Sequence, residues 1–329
     1  MAERTGKQLA WPLFDSIVGR AEMRHVNPWV EGIAGPTFEP DYGTLRTLLG
    51  VPLHLGTATQ SGVPALAIDV WVAYELRRAG LDPDSVWPRE TPPRVVSRDV
   101  LRFVESLPAA DRERLLDRLK SQAIGGVAAA SANIMGKNYL KQVDVIVSSW
   151  QVGPELLIST KRMDSSFGKN AANRVEESYG DAKNLALRHP LAARGFVFAL
   201  RSTAYTEERR HFDWIVDLLT KLGREEDAYD ACMLLVPHWS GAAPDGDAEG
   251  PDEAVLEPDE VDTESGAVVP STDVESVVAR LPQVSLRRDL VPRDLDPGRF
   301  FSVMIAKVLD GSTVTHHEEA RRLRAEPRA

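Results

Sequence analysis

Residues 142–201 read QVDVIVSSWQVGPELLISTKRMDSSFGKNAANRVEESYGDAKNLALRHPLAARGFVFALR, and this stretch decides the fold. Residues 143–149 alternate polar and β-branched side chains, and residues 153–154 are the turn-forming pair Gly-Pro. Residues 155–161 form a second short run of strand formers. The pattern predicts a β-hairpin.

A helix and a further strand are predicted after the hairpin. A helical pattern runs from about Ala171 to Arg188 and is stopped by Pro190, and GFVFAL follows at residues 195–200. A strand, a crossover helix and another strand form a right-handed βαβ unit. The predicted fold class is therefore α/β, with a mixed β-sheet flanked by helices.

The hairpin also brings chemically useful side chains together. With its turn centred on residues 152–153, Asp144 faces Lys161 and Ile146 faces Ser159. Side chains two residues apart share a face of a strand, so Asp144, Ser159 and Lys161 are expected on one face of the sheet. A carboxylate that holds a hard divalent cation and a lysine that orients or activates a water are the minimum for metal-dependent phosphodiester hydrolysis.

From about residue 120 to 240 the chain resembles the PD-(D/E)XK nucleases, and in particular type II restriction endonucleases. The resemblance is carried by Asp144 and by Ser-Thr-Lys at 159–161. It implies a restriction-endonuclease-like core and a Mg²⁺-dependent endonuclease that hydrolyses double-stranded DNA at a specific sequence. Asp144 would hold the metal and Lys161 would position the water. Ser159, which stands where a second carboxylate is expected, would support them by hydrogen bonding.

The second metal-binding carboxylate must then come from elsewhere in the chain. Glu155 is on the predicted face but lies about 20 Å along the strand from Lys161, which excludes it. Some related restriction enzymes supply this acid from the helix after the lysine strand, which makes Glu177 the first choice and Glu176 the second. Asp164, just past the strand, stays open as a third source.

DNA recognition is assigned mainly to residues outside the core. Residues 1–115, mainly helical, would recognise the target sequence, and residues 116–240 would form the catalytic core. A small-residue helix is expected from Ser121 to Leu140. The basic side chains assigned to DNA contacts are Arg89, Arg94, Lys137, Lys141 and Lys169. A proline-rich surface strap and solvated surface lysines are the alternative explanations of this pattern.

The formal net charge of −10 is unusual for a DNA-binding protein, and one segment accounts for it. Residues 245–264 carry ten acids and neither Lys nor Arg, so the remainder is neutral and can carry a local basic groove. Residues 241–270 are predicted to be an acidic flexible linker or loop, and residues 271–329 a small C-terminal helical region.

Two adjacent histidines near the end of the chain are candidate metal ligands. Thr315 and Glu318 have the spacing of a capping box, which predicts a helix start between them. Adjacent side chains diverge on a helix, so His316 and His317 are interpreted as an exposed helix start.

Composition indicates the cellular compartment, and the need to cut two DNA strands indicates the oligomeric state. The single Cys232 excludes an intramolecular disulfide and suits a reducing cytoplasm, and the absence of a signal-peptide pattern or a long apolar run predicts no membrane segment. Cutting both DNA strands favours a homodimer. The resemblance implies restriction–modification in phage defence, with a separately encoded DNA methyltransferase. The alternative is a catalytically inactive or partner-dependent DNA-binding component of a defence complex, built on a nuclease fold.

Overall fold

The computed structural model describes residues 5–24, 26–121, 124, 127–129, 131–242 and 271–329. The predicted acidic segment at 245–264 lies outside these ranges. The side chains of residues 169–172 also lie outside the description, so the assignment of Lys169 to DNA stays a prediction.

Helices and short strands make up most of the described chain. The helices are α1 (Gly6–Glu22), α2 (Tyr42–His54), α3 (Val63–Arg78), α4 (Arg98–Glu105), α5 (Ala109–Ser121), α6 (Phe167–Ala186), α7 (Thr203–Glu207), α8 (Arg209–Leu222), α9 (Ser271–Val278), α10 (Pro297–Gly311) and α11 (Glu318–Ala325). The strands are β1 (Trp29–Val30), β2 (Thr37–Phe38), β3 (Val86–Trp87), β4 (Val95–Val96), β5 (Ala128–Ala129), β6 (Ala132–Met135), β7 (Leu140–Val143), β8 (Val145–Ser149), β9 (Gly153–Met163), β10 (Ala193–Leu200), β11 (Ala231–Leu235), β12 (Pro237–His238) and β13 (Ser285–Leu286).

A mixed five-stranded sheet with the order β11-β10-β9-β8-β3 lies at the centre. Strands β9, β10 and β11 run parallel, and β8 is antiparallel to both β9 and β3. Helix α6 connects β9 to β10, and the segment that contains α8 connects β10 to β11. The predicted α/β class with a mixed sheet flanked by helices is confirmed.

Both faces of the sheet are buried, which explains the apolar composition of its strands. Helices α3 and α10 pack on one face, where Val145 and Ile158 belong to the larger hydrophobic core. Helices α6 and α8 pack on the other, where Phe196 and Phe198 join a second apolar cluster. The predicted GFVFAL strand is β10, which is buried along its whole length. The predicted crossover helix is α6, which begins at Phe167 rather than near Ala171.

The larger core contains residues from both sides of the predicted domain boundary between residues 115 and 116. It extends from Ala10 on α1 to Ala320 on α11, and strand β3, which lies before that boundary, is the edge strand of the central sheet. The described N-terminal and C-terminal regions therefore share one core with the sheet. Apolar helices such as α3 bury their side chains against β8 and β9.

The predicted hairpin exists, but its predicted register is wrong. Ser149 pairs with Gly153 across a three-residue loop, and the register then shifts between Val147 and Ser148. Val147 pairs with Leu156, so Glu155 is the extra residue of a β-bulge on β9. Ile146 consequently pairs with Leu157 rather than with Ser159. The loop moves the pairing by three residues and the bulge moves it back by one, so the net shift is two residues. The side chains of β8 and β9 keep their predicted faces, but Asp144 is no longer opposite Lys161 as predicted.

The helix expected from Ser121 to Leu140 is also wrong. Strand β5 pairs with β4, and strand β6 forms a hairpin with β7. The segment's small residues carry no strong local preference, and the partner of β5 lies at Val95–Val96, far back in the sequence. Tertiary pairing therefore overrides the helical interpretation.

Candidate functional site

Asp144 sits at a bend between β7 and β8, at the point where β8 enters the central sheet. It is half-buried, and its Oδ2 accepts a hydrogen bond of 2.7 Å from the backbone N–H of Thr160 on β9. The carboxylate thus binds to the strand next to Lys161. This contact holds the predicted metal-binding aspartate beside the predicted lysine strand.

A second carboxylate, Asp69 on α3, lies in the same neighbourhood. Asp69 is 6% exposed, and its Oδ1 makes no hydrogen bond with the described residues. Burial raises the pKa of Asp69 well above its usual value, and the negative charge of Asp144 raises it further. The nearby side chains that oppose this rise in the pKa are Thr160, Lys7 and Lys161.

Sequence reasoning missed Asp69, although a signal was present. The residue interrupts the apolar run of α3 between Ile68 and Val70, both of which are buried. An ionisable side chain on the buried face of a helix is rare unless it is paired or functional. Only the packing of α3 on β8 and β9 shows that the acid points toward the start of β8.

Asp69 and Asp144 together form an oxygen-rich, negatively charged group beside Lys161. Two carboxylates in one buried place repel each other unless a proton or a cation lies between them. Mg²⁺ prefers carboxylate oxygens and keeps waters in its remaining positions. The unpaired Oδ1 of Asp69 therefore fits the ligand set that such a cation requires.

Ser159 is engaged in a different contact. It is buried and hydrogen-bonds to the phenol of Tyr229, which stacks on Phe196. The Tyr229 hydroxyl donates to the backbone carbonyl of Ser178 on α6 at 2.8 Å. Burial raises the pKa of Tyr229, and the charge of Asp144 contributes to that rise. Ser159 therefore joins β9 to α6 through Tyr229, close to Asp144.

The three acids predicted as alternatives have other surroundings. Glu177 pairs with Arg174 at 3.4 Å and keeps 37% of its side chain exposed, and Glu176 is exposed. Neither is among the groups that shift the pKa of Asp69 most. Asp164 is buried and accepts a hydrogen bond of 3.0 Å from the guanidinium of Arg162, so its charge is balanced by that cation.

Three of the five basic residues predicted to contact DNA have partners inside the protein. Arg94 is 2% exposed, forms two hydrogen bonds to the Asp15 carboxylate and stacks over Trp11. Arg89 binds the Asp84 carboxylate and neighbouring carbonyls. Arg89 and Arg94 both stabilise the loop around β3 and β4. A proline-rich surface strap therefore explains this segment better than a DNA-binding arm does.

Lys141 and Lys137, which were also predicted to contact DNA, differ in their exposure to solvent. Lys141 is buried and pairs with Asp181 on α6 at 2.8 Å, which corrects its assignment as a phosphate contact. Tyr139 donates to the same carboxylate at 3.0 Å. Lys137 is exposed, so its assignment to DNA stays a prediction.

The C-terminal histidines are not the exposed, capped helix start that the sequence predicted. His317 occupies the position before α11 with a left-handed backbone (φ 54°), and no side chain caps this helix. The His317 side chain is only 6% exposed and contacts Glu155 of β9. The Thr315–Glu318 spacing was therefore misleading, because a tertiary contact decides the conformation here.

No protein-family model matches the chain, and comparison with the curated proteins and with the solved structures gives no match. Within the described ranges, helices with the length and apolar composition needed to span a membrane are absent.

Proposed function

We propose that the protein is a Mg²⁺-dependent endonuclease of the PD-(D/E)XK class that cleaves double-stranded DNA at a specific sequence. The observation that carries the proposal is the grouping of buried Asp69, whose Oδ1 has no hydrogen-bond partner among the described residues, with Asp144 beside the lysine strand. A buried acid with a raised pKa and a second acid nearby is typical of a functional site.

Asp144 and Asp69 would hold the cation, and Lys161 would orient the attacking water. Bound Mg²⁺ would activate that water and stabilise negative charge on the phosphate. Asp69 thus takes the role for which the sequence favoured Glu177 or Glu176. Its position on α3, which is packed against β9, makes it a rigid ligand.

The topology around the site supports the same class. The antiparallel pair β8 and β9, the crossover helix α6 and the parallel strand β10 have the order that the restriction-endonuclease-like core requires. The contact from Ser159 through Tyr229 to α6 holds the middle of β9 against the crossover helix. This contact would keep Lys161 at a constant distance from the two acids.

The proposal extends to partners. DNA is the substrate, a homodimer would supply two sites related by a dyad, and a separate methyltransferase would protect the host DNA. Exposed Lys137, which lies at the turn between β6 and β7, is a DNA contact in this proposal. A cytoplasmic location follows from the substrate.

Cleavage of a long DNA of high sequence complexity by the purified chain tests the proposal. Discrete fragments with Mg²⁺ and none with a chelator are expected, and Asp144→Asn and Asp69→Asn should each lower the cleavage rate by at least about 100-fold. The exposed Glu176→Gln is the matched control. Cleavage at the wild-type rate by both aspartate variants would show that Asp69 and Asp144 take no part in the reaction.

The alternative is a DNA-binding component of a defence complex that does not cut by itself. One observation favours this alternative: Ser159 stands in place of the expected acid and hydrogen-bonds to Tyr229. Wild-type protein that retards DNA in gels but leaves it intact with Mg²⁺ and Mn²⁺ would support this alternative.

A further inference from the structure

A second group of metal-binding side chains lies at the opposite end of β9 from Lys161. Glu155 is 7% exposed, and its Oε1 lies 3.0 Å from Nε2 of His317. The β-bulge makes Glu155 the unpaired residue of the ladder, which frees its side chain from the regular alternation of the strand. The carboxylate can therefore meet the segment that precedes α11.

His316 completes the group. Donor atoms of Glu155, His316 and His317 all lie within 4.8 Å of one another. The two imidazole rings are nearly perpendicular, with centroids 5.1 Å apart. The left-handed backbone at His317 breaks the helical spacing that would otherwise make adjacent side chains diverge.

One oxygen of the group has no partner. Oε2 of Glu155 is buried and makes no hydrogen bond with any residue in the described parts of the chain. A buried carboxylate oxygen without a donor is costly, so it favours a bound cation. This oxygen belongs to the same carboxylate that already contacts His317.

We propose that Glu155, His316 and His317 bind a zinc ion that fastens the C-terminal segment to strand β9. Two imidazole nitrogens and one carboxylate oxygen suit Zn²⁺, whereas Mg²⁺ prefers oxygen ligands alone. Tetrahedral zinc holds neighbouring ligand atoms about 3.3 Å apart, so no gap between donor atoms must close by more than about 1.5 Å. Water would fill the fourth position.

The proposed zinc site is separate from the nuclease site. Glu155 and Lys161 lie six residues apart on β9, about 20 Å along the strand. The zinc site fixes residues before α11, whose Ala320 packs in the larger core. The proposed zinc joins this segment to β9, and its binding does not depend on the proposed nuclease activity.

Zinc titration of the chelator-treated full-length chain tests this proposal, with a chromophoric chelator as the competitor. One equivalent of Zn²⁺ per chain is expected. Loss of a partner that only orients a ligand costs about 10–100-fold in affinity, so Glu155→Gln, His316→Ala and His317→Ala should each weaken binding by at least about 100-fold. His54→Ala, which changes an exposed histidine on α2, is the control and should bind like wild type.

Two further measurements separate the possible outcomes. Asp144→Asn should bind zinc with wild-type affinity, because that residue belongs to the other site. If His317→Ala fails to fold, His316→Ala decides, because it keeps the Glu155–His317 contact. Binding of less than about one-tenth of an equivalent, or unchanged affinity in the His316→Ala variant, would overturn the proposal and leave a simple carboxylate–imidazole contact.

Discussion

The two ends of strand β9 carry different chemistry on the same element. Near Lys161 the strand is regular, and the acids Asp69 and Asp144 approach it from α3 and from the start of β8. At Glu155 the strand is bulged, and imidazoles approach from the C-terminal segment. Oxygen ligands beside a lysine suit Mg²⁺ and hydrolysis, whereas mixed nitrogen and oxygen ligands suit zinc. The comparison shows that the partners of a strand, more than its own residues, decide what each end can bind.

The largest expected effect separates the two ends by activity. Asp144→Asn should lower Mg²⁺-dependent cleavage by about 10³-fold or more, because the cation loses a charged ligand and the phosphate loses its stabilisation. Single-turnover cleavage rates measure this loss. Zinc affinity should stay unchanged in the same variant. If Asp144→Asn lowered both the cleavage rate and the zinc affinity, the two sites would not be independent.

Asp69→Asn should lower cleavage by about 100-fold and also stabilise the metal-free fold. The pKa of Asp69 is raised in the folded state, so its contribution to stability is present at low pH and is lost as the pH rises through that folded pKa. At pH 8 in a chelator, the variant should be more stable than wild type by roughly 1–3 kcal/mol. Urea unfolding at pH 5 and pH 8 measures the difference, which should shrink at pH 5.

Asp164→Asn is the matched control for that experiment, because both aspartates are buried and Asp164 accepts a hydrogen bond from the guanidinium of Arg162, whereas Oδ1 of Asp69 has no hydrogen-bond partner among the described residues. Asp164 and Arg162 have side chains that are 4% and 1% exposed. Removing one partner of a buried ion pair costs about 3–5 kcal/mol, so this variant should be less stable than wild type. Equal effects of the two substitutions would mean that Asp69 has a compensating partner.

Glu155→Gln tests the other end of the strand with a smaller effect on the metal-free protein. The amide oxygen can still accept a hydrogen bond from His317, so stability in a chelator should change by no more than about 1 kcal/mol. Zinc should raise the Tm of wild type and leave that of the variant unchanged. DNA cleavage should stay within about 2-fold of wild type, and a large loss would link the bulge to the reaction.

The smallest effect is expected from Glu177→Gln. Its pairing with Arg174 is partly exposed, and such pairs contribute about 0–1 kcal/mol. Cleavage rates should therefore stay within about 2-fold of wild type. A loss as large as that of Asp144→Asn would make Glu177 the second metal ligand and would remove Asp69 from that role.

Local patterns were sufficient for the elements around β9. The alternation before Trp150, the strand formers after Pro154 and the stop at Pro190 predicted β8, β9 and α6, and each was found. The predicted Gly153-Pro154 turn was wrong, because both residues belong to β9 and the loop lies at residues 150–152. The pairing register was not predictable, because it depends on a bulge that has no strong sequence signature. Strand β5 was missed because its partner β4 lies far back in the sequence, whereas β6 pairs with the adjacent β7 and was hidden by the small-residue composition that suggested a helix.

The sequence by itself determined the α/β fold class and the strands and crossover helix around Asp144 and Lys161, because these follow from periodicity and from residue type. Only the tertiary structure decided that Asp69 lies beside Asp144, that Arg94 and Lys141 are buried in ion pairs, and that Glu155 meets His317. These contacts join residues that are distant in the chain. Their geometry is set by how helices pack on the sheet, which local preference does not encode.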